Sequence, residues 1–394
     1  MNKDMLNLGS NRSIIRELFE FSKQRKQEIG EDNVYDFSLG NPSVKPNPKL
    51  NEALIKIIEA GNDTYTHGYT SAPGDNNTRN EIAKDLNKRF NTSYTLNNIY
   101  MTCGAAASLC IALRAITESK NDEILAIAPY FTEYKVFVEG AGATFKVVEP
   151  DMINFNINFD DLLIKLNKNT KAIIVNSPNN PSGVVYSKAV LDKLADILRA
   201  KEKEYNHPIY LICDEPYREI VFGDATVSHI PNLYDDTVLC YSYSKSLSLP
   251  GERIGYVLVP DKAADSKNLF LACLGAGRAY GYVCAPSLMQ HAIELCATLT
   301  SDMNEYTKNR DLIYNGLTKI GYNCVKPEGA FYLFVKALED DAYKFMERAK
   351  EFNIIAVPSD NFGVKGYVRL AYCVSEKTIK NSLPAFQKLF DSYK

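Results

Sequence analysis

The sequence predicts an α/β protein: a mostly parallel sheet covered by helices, with a smaller α/β unit built from both ends of the chain. Three observations lead there. Short apolar runs alternate with helical stretches through the middle of the chain. The runs are apolar on both faces, as in strands buried in a parallel sheet. After residue 300 the pattern changes to a long helical stretch followed by strands interleaved with helices.

In chain order, a helical segment (13–30) precedes VYDFSLGNPS (34–43), and this opening is expected to fold back onto the C-terminal unit. IYMTC (99–103) reads as a strand, and AAASLCIALRAITE (105–118) as a helix opening straight after Gly104. EILAIAP (123–129), KAIIVNSP (171–178), PIYLICDEP (208–216) and TVLCYSYS (237–244) are further buried runs. Between them SKAVLDKLADILRAKEKEY (187–205) has apolar residues at about 3.6 spacing, which gives a helix one apolar face. IGYVLV (254–259) is another strand-like run. The helical pattern at 301–321 leads to AFYLFVKAL (330–338), a helix, and YVRLAYCV (367–374). The expected division is 1–48 as a segment packing with the small domain, 49–300 as the large domain and 301–394 as the small C-terminal domain.

Composition narrows the function classes. The chain has 394 residues, 45% hydrophobic and 24% charged, with a formal net charge of −3. It is long enough to bury a large core without staples. The mild acidity and the absence of a Lys/Arg block speak against nucleic acid or an anionic membrane as partner. The polar opening MNKDMLNLGSNRS lacks the apolar run of a signal peptide, and no stretch of about 18 apolar residues occurs. Nine scattered cysteines without C-x-x-C fit reduced thiols, so a cytoplasmic location is expected. His67, His207, His229 and His291 have no His or Cys at metal-ligand spacing, so no metal is expected and they read as surface or satisfied structural residues.

Ligands of open α/β sheets bind at the carboxyl ends of the strands, and here those ends carry the polar residues. NNPSG (179–183) follows 171–178, DEPY (214–217) ends 208–216, and SYSK (242–245) ends 237–244. GAAAS (104–108) opens a helix, whose free N–H groups suit an anion. Tyr130 and Phe131 follow 123–129. Lys245 is the oddest of the set. An ammonium between two strand-like runs costs several kcal/mol to desolvate unless something offsets it.

Taken together, these segments resemble the class I aminotransferases, pyridoxal-phosphate enzymes of fold type I that include aspartate aminotransferases. The resemblance rests on Asn180-Pro181-Ser182-Gly183, then Asp214-Glu215-Pro216-Tyr217, then Ser242-Tyr243-Ser244-Lys245 with Arg253 eight residues further. SLGNP (38–42), YTSAPGDNNTR (69–79), PEGAFYLF (327–334) and YVRLAY (367–372) extend it from about residue 30 to 375. It implies a seven-stranded, mostly parallel sheet, pyridoxal 5′-phosphate as cofactor, and amino acid and 2-oxo acid substrates in a ping-pong exchange.

The resemblance also implies roles. Lys245 would be the Schiff-base lysine and general base. Asp214 would pair with the ring nitrogen, and Asn180 and Tyr217 with the phenolic oxygen. Gly104, Ala105 and Ala106 at the helix start, with Ser242, Ser244 and Arg253, would hold the phosphate. Phe131 would stack on the ring, where family members often carry tryptophan; this chain has none. Arg369 would fork onto the substrate α-carboxylate, and Gly40 would let backbone approach it. Tyr69 would reach the phosphate from a second subunit, so a homodimer with shared sites is expected. Arg278, 33 residues past Lys245 in GAGRAYGY (275–282), is either a partner-donated arginine for a side-chain carboxylate or a loop arginine facing solvent. The first reading makes aspartate or glutamate the donor. The alternatives are a C–S β-lyase of the same fold, or an aminotransferase for neutral or aromatic amino acids. A transcription regulator of this fold would need a DNA-binding module, for which no basic helix is present.

Overall fold

The buried runs become the strands of one seven-stranded sheet. The protein is described by a computed structural model covering residues 1–10 and 14–394. Strand β1 (Tyr35–Asp36) comes first. β2 (Ile99–Thr102), β3 (Glu123–Ile127), β4 (Thr144–Val148), β5 (Thr170–Asn176), β6 (Tyr210–Asp214), β7 (Thr237–Ser242) and β8 (Gly255–Leu258) form the large sheet. β9 (Cys324–Val325), β10 (Tyr332–Lys336), β11 (Ile354–Ile355), β12 (Val357–Pro358) and β13 (Tyr367–Ala371) follow. The large sheet has the order β2-β8-β7-β6-β5-β3-β4, and β8 alone runs against its neighbours.

Alternation along each strand feeds two separate cores. Leu125, Ile173, Val175, Leu211 and Leu239 face one side of the sheet, where Leu191, Leu194 and Leu198 of the helix Lys188–Tyr205 cover them. Ile124, Ala126, Ile174, Ile212 and Val238 face the other, covered by Leu109, Ile111, Ala112 and Leu113 of the helix Ala105–Ile116. The helix Lys188–Tyr205 starts where Ser187 accepts from the Val190 amide and stops at Asn206, whose φ of 59° is left-handed. β4 is less buried than its neighbour β3, as an edge strand can be, and its sequence had not marked it as a strand.

The smaller sheet has the order β12-β13-β10-β9, all antiparallel. The helices Asn304–Ile320 and Glu376–Asp391 pack together, and both contribute to its core. β1 pairs in parallel with β11, Tyr35 opposite Ile354 and Asp36 opposite Ile355, so the opening of the chain does join its C-terminal part. The segment after β1 then runs on to the carboxyl ends of the large sheet, bringing Gly40 there. Among the described residues no helix is long and apolar enough to cross a membrane.

Candidate active site

A cavity of about 280 Å³ opens where β5, β6 and β7 end. Asp214 is the last residue of β6 and Ser242 the last of β7. The loop after β5 is pinned by Asn176, whose side chain accepts from the Asn180 amide at 2.7 Å and donates to the Asp214 carbonyl at 2.8 Å. Ser242 caps the short helix Tyr243–Ser246 by accepting from the Ser244 amide. That helix turns Lys245 into the cavity, and its amine donates to the Gly40 carbonyl at 2.7 Å. Ala105 and Ala106 present a helix start beside Ser242 and Ser244. Gly104, with φ 87°, is required there: a Cβ would stand 2.9 Å from the Arg253 guanidinium. Gly40 has a similar reason, since a Cβ would meet the Tyr332 hydroxyl at 2.1 Å.

Charge is strongly perturbed in this space. Burial pushes the Lys245 amine down to about 8, and the Arg253 and Arg369 cations push the same way. Burial pushes the Asp214 carboxyl up to about 7, opposed by the Tyr134 hydroxyl, which donates to Oδ2 at 2.5 Å. Its other oxygen, Oδ1, is buried with no hydrogen-bond partner. Arg369 is 2% exposed and donates to Asn180 Oδ1 at 3.1 Å and to the Ser38 carbonyl at 2.6 Å, leaving Nε unpartnered. Unpaired buried polar atoms are rare because each forfeits its hydration. Two of them, of opposite charge and in one cavity, mark places for a ligand with a cationic and an anionic group.

A family model decides the kinship: residues 32–386 match the aminotransferase class I and II family. The chain belongs to the class I and II aminotransferases. A probable aspartate aminotransferase of Methanocaldococcus jannaschii is 30% identical over 96% of this chain and 97% of its own. An aspartate aminotransferase of Thermotoga maritima is 30% identical over 92% and 93%. Among solved structures, an amino transferase from Eubacterium rectale superposes with a TM-score of 0.98, at 53% identity over 100% and 99% of the two chains. The Thermus thermophilus aspartate aminotransferase with maleate gives 0.84, at 25% identity over 96% and 97%. The fold is therefore fold type I.

In this aminotransferase most residues singled out in the sequence line one cavity: Lys245, Asp214, Tyr217, Asn180, Phe131 and Gly40, together with the helix start, both serines, Arg253 and Arg369. Two do not. Tyr69 is 90% exposed, and Arg278 lies exposed in the last turn of the helix Ser266–Ala279, outside the cavity of its own subunit. Of the two readings of Arg278, the loop setting does not hold, because the helix starting at Ser266 runs on through it; its donation to a second subunit stays open. Arg369, by contrast, is enclosed on β13. His229 and His291 also depart from expectation. Both are buried, and the Nδ1 of each has no partner.

The sequence reading missed Tyr134, Tyr332, Leu39 and Ile15. Tyr134 sits three residues past Phe131, at the start of the helix Glu133–Gly140, and its amide donates to the Phe131 carbonyl at 3.0 Å. The two rings meet edge to face at 5.7 Å. The Tyr332 hydroxyl lies 3.0 Å from that of Tyr217. Leu39 and Ile15, the latter from the helix Ile14–Ile29, add apolar surface to the cavity, and nothing in their local sequence signalled it.

Proposed function

We propose that this chain is a pyridoxal-phosphate-dependent transaminase that moves the amino group of an amino acid to a 2-oxo acid by ping-pong exchange, with Lys245 as the working amine. The observation that carries the reading is the depressed Lys245 amine in one cavity with the unpartnered Asp214 Oδ1. The cofactor is the one used by the aminotransferase family, and the residues present fit it. Asp214 Oδ1 is free to pair with a protonated ring nitrogen. The Ala105 and Ala106 amides, Ser242, Ser244 and Arg253 form an anion cradle at a helix N-terminus. Phe131 offers a face for stacking. When bound, pyridoxal phosphate supplies an aldehyde for amine exchange and a ring that takes up the electron pair left at Cα.

The protein's own groups do the rest. Lys245, partly neutral near pH 7 to 8, can accept the Cα proton and return it, as a general base already in reach. Asp214, once ionised, stabilises positive charge at the ring nitrogen. Arg369 has Nε left for an α-carboxylate, while its bonds to Asn180 and Ser38 hold the guanidinium plane. Tyr217 and the free amide hydrogens of Asn180 are available to a phenolic oxygen. Leu39, Ile15 and Tyr332 help keep water from the amine.

For the donor, the names of the relatives support aspartate, within the expected pair of aspartate or glutamate. That reading needs a second subunit whose Arg278 and Tyr69 complete the site, and hence a homodimer. One observation favours a neutral or aromatic donor instead: among the described residues, Lys245, Arg253 and Arg369 are the only cations lining the cavity of a single subunit, beside apolar Ile15, Leu39 and Pro250. The exposed positions of Arg278 and Tyr69 are compatible with either. Absorption spectra of the loaded enzyme with a panel of amino acids test both. The proposal requires the cofactor band to be lost on amino acid addition and restored by a 2-oxo acid without ammonia release. Ammonia and pyruvate from cysteine-like substrates would instead mark a C–S β-lyase.

A further inference from the structure

Away from the cavity, Asp75, His291 and Glu294 converge from two helices. His291 and Glu294 lie on the helix Ser287–Cys296, three residues apart, and Asp75 caps the helix Asn76–Phe90. One ring nitrogen of His291 and one oxygen of each carboxylate lie within 4.8 Å of one another. We propose that these three residues bind a divalent transition-metal ion of the zinc type.

The second observation is the imidazole itself. His291 is 4% exposed, yet its Nδ1 has no hydrogen-bond partner. Its Nε2 has only long contacts, 3.3 Å to the Tyr65 carbonyl and 3.4 Å to the Ser287 hydroxyl. Nδ1 is a buried nitrogen left unpaired, on a ring that comes within reach of two carboxylates; it is costly as it stands and well used as a ligand. The surrounding shell is already rigid. The Tyr65 ring stacks on His291 at 4.3 Å and its hydroxyl donates to Asp75 Oδ2 at 3.2 Å. Gln290, fully buried, accepts from the Asp75 amide at 2.7 Å and donates to the Ala285 carbonyl at 2.9 Å. Such outer partners orient metal ligands.

Donor chemistry selects the ion. Two carboxylates match a double positive charge, and the imidazole favours zinc-type metals over magnesium or calcium, which take oxygen ligands. Zinc–ligand bonds of about 2.0–2.2 Å require the three atoms to close in, and that movement is assigned to the half-buried Glu294 side chain, with water completing the shell. The bound ion would fasten the Tyr65–Asp75 segment, which carries Tyr69, to the helix Ser287–Cys296. The partners of His291 are carboxylates brought in by the fold, a set that His and Cys spacing in the sequence does not mark.

The test is calorimetric titration of the full-length, chelator-treated protein with Zn²⁺ and Co²⁺, with thermal melts alongside. One ion per chain is expected, with a higher Tm. The Co²⁺ spectrum should lack thiolate-to-metal charge transfer, a needed control because all nine cysteines are unpaired. His291→Gln and Glu294→Gln should each weaken binding at least tenfold with unchanged circular dichroism. If His291→Gln fails to fold, Glu294→Gln carries the comparison. No binding by the wild type, unchanged affinity in a folded variant, or a thiolate band would each overturn the proposal.

Discussion

The Tyr134 hydroxyl donates to Asp214 across 2.5 Å, with both side chains buried beneath the carboxyl end of β6. Desolvation drives this carboxyl up, and the hydroxyl is the group that opposes it. Losing a hydrogen bond to a charged group costs about 1.5–3 kcal/mol, or roughly 10- to 100-fold in rate or affinity. Tyr134→Phe is therefore expected to raise the Asp214 pKa further, weaken cofactor retention and shift the acid limb of kcat/KM to higher pH. An unmoved acid limb would mean that Tyr134 only fills space.

Lys245→Ala should lose transamination by several orders of magnitude and release the cofactor on gel filtration. The wild-type amine also sets a pH dependence. Only the neutral amine attacks an aldehyde, so covalent capture of pyridoxal phosphate by the cofactor-free protein should accelerate with pH and level off above about 8. Stopped-flow absorbance reads this directly. A midpoint at the ordinary lysine value would show that burial does not activate Lys245.

Asp214 has a stability signature as well. Its folded pKa, about 7, lies above the ordinary 3.8. The favourable contribution is thus fully present below 3.8 and is lost as pH rises through 7, where a charge must be kept in a dry cavity. In the cofactor-free protein, Asp214→Asn should raise Tm relative to wild type, by a margin that grows between pH 4 and pH 7 and then levels. The same substitution should slow Cα–H exchange by orders of magnitude in the loaded enzyme. A margin independent of pH would argue against the buried charge.

Donor choice can be read from a ratio. Arg369→Ala should damage aspartate and alanine alike, because both carry the α-carboxylate. If Arg278 of a second subunit takes the side-chain carboxylate, Arg278→Ala should lower kcat/KM for aspartate about 10- to 100-fold and leave alanine nearly unchanged. Mixing that variant with Lys245→Ala chains should then restore some aspartate activity in hybrid dimers. An unchanged aspartate-to-alanine ratio in Arg278→Ala would favour the neutral donor.

By itself, the sequence determined the large sheet and what stands at its strand ends. A strand buried on both faces must be apolar throughout, so the Asn, Asp, Ser and Lys that close β5, β6 and β7 stand out against it. Those positions cluster because parallel strands place their carboxyl ends side by side. The sequence was weaker where burial is partial: β4, less buried than β3, went unread, and the helix that carries Arg278 was not recognised, so a solvent-facing loop stood as one of its two readings. Only the tertiary structure decided which residues meet across long separations. Tyr134 finds Asp214 80 residues away, Arg369 finds Ser38 331 residues away, and Asp75 comes to lie beside His291 and Glu294. No local spacing encodes such pairs. They follow from how helices and sheet pack, and packing also excludes the water that would otherwise leave Lys245 and Asp214 at their ordinary pKa values.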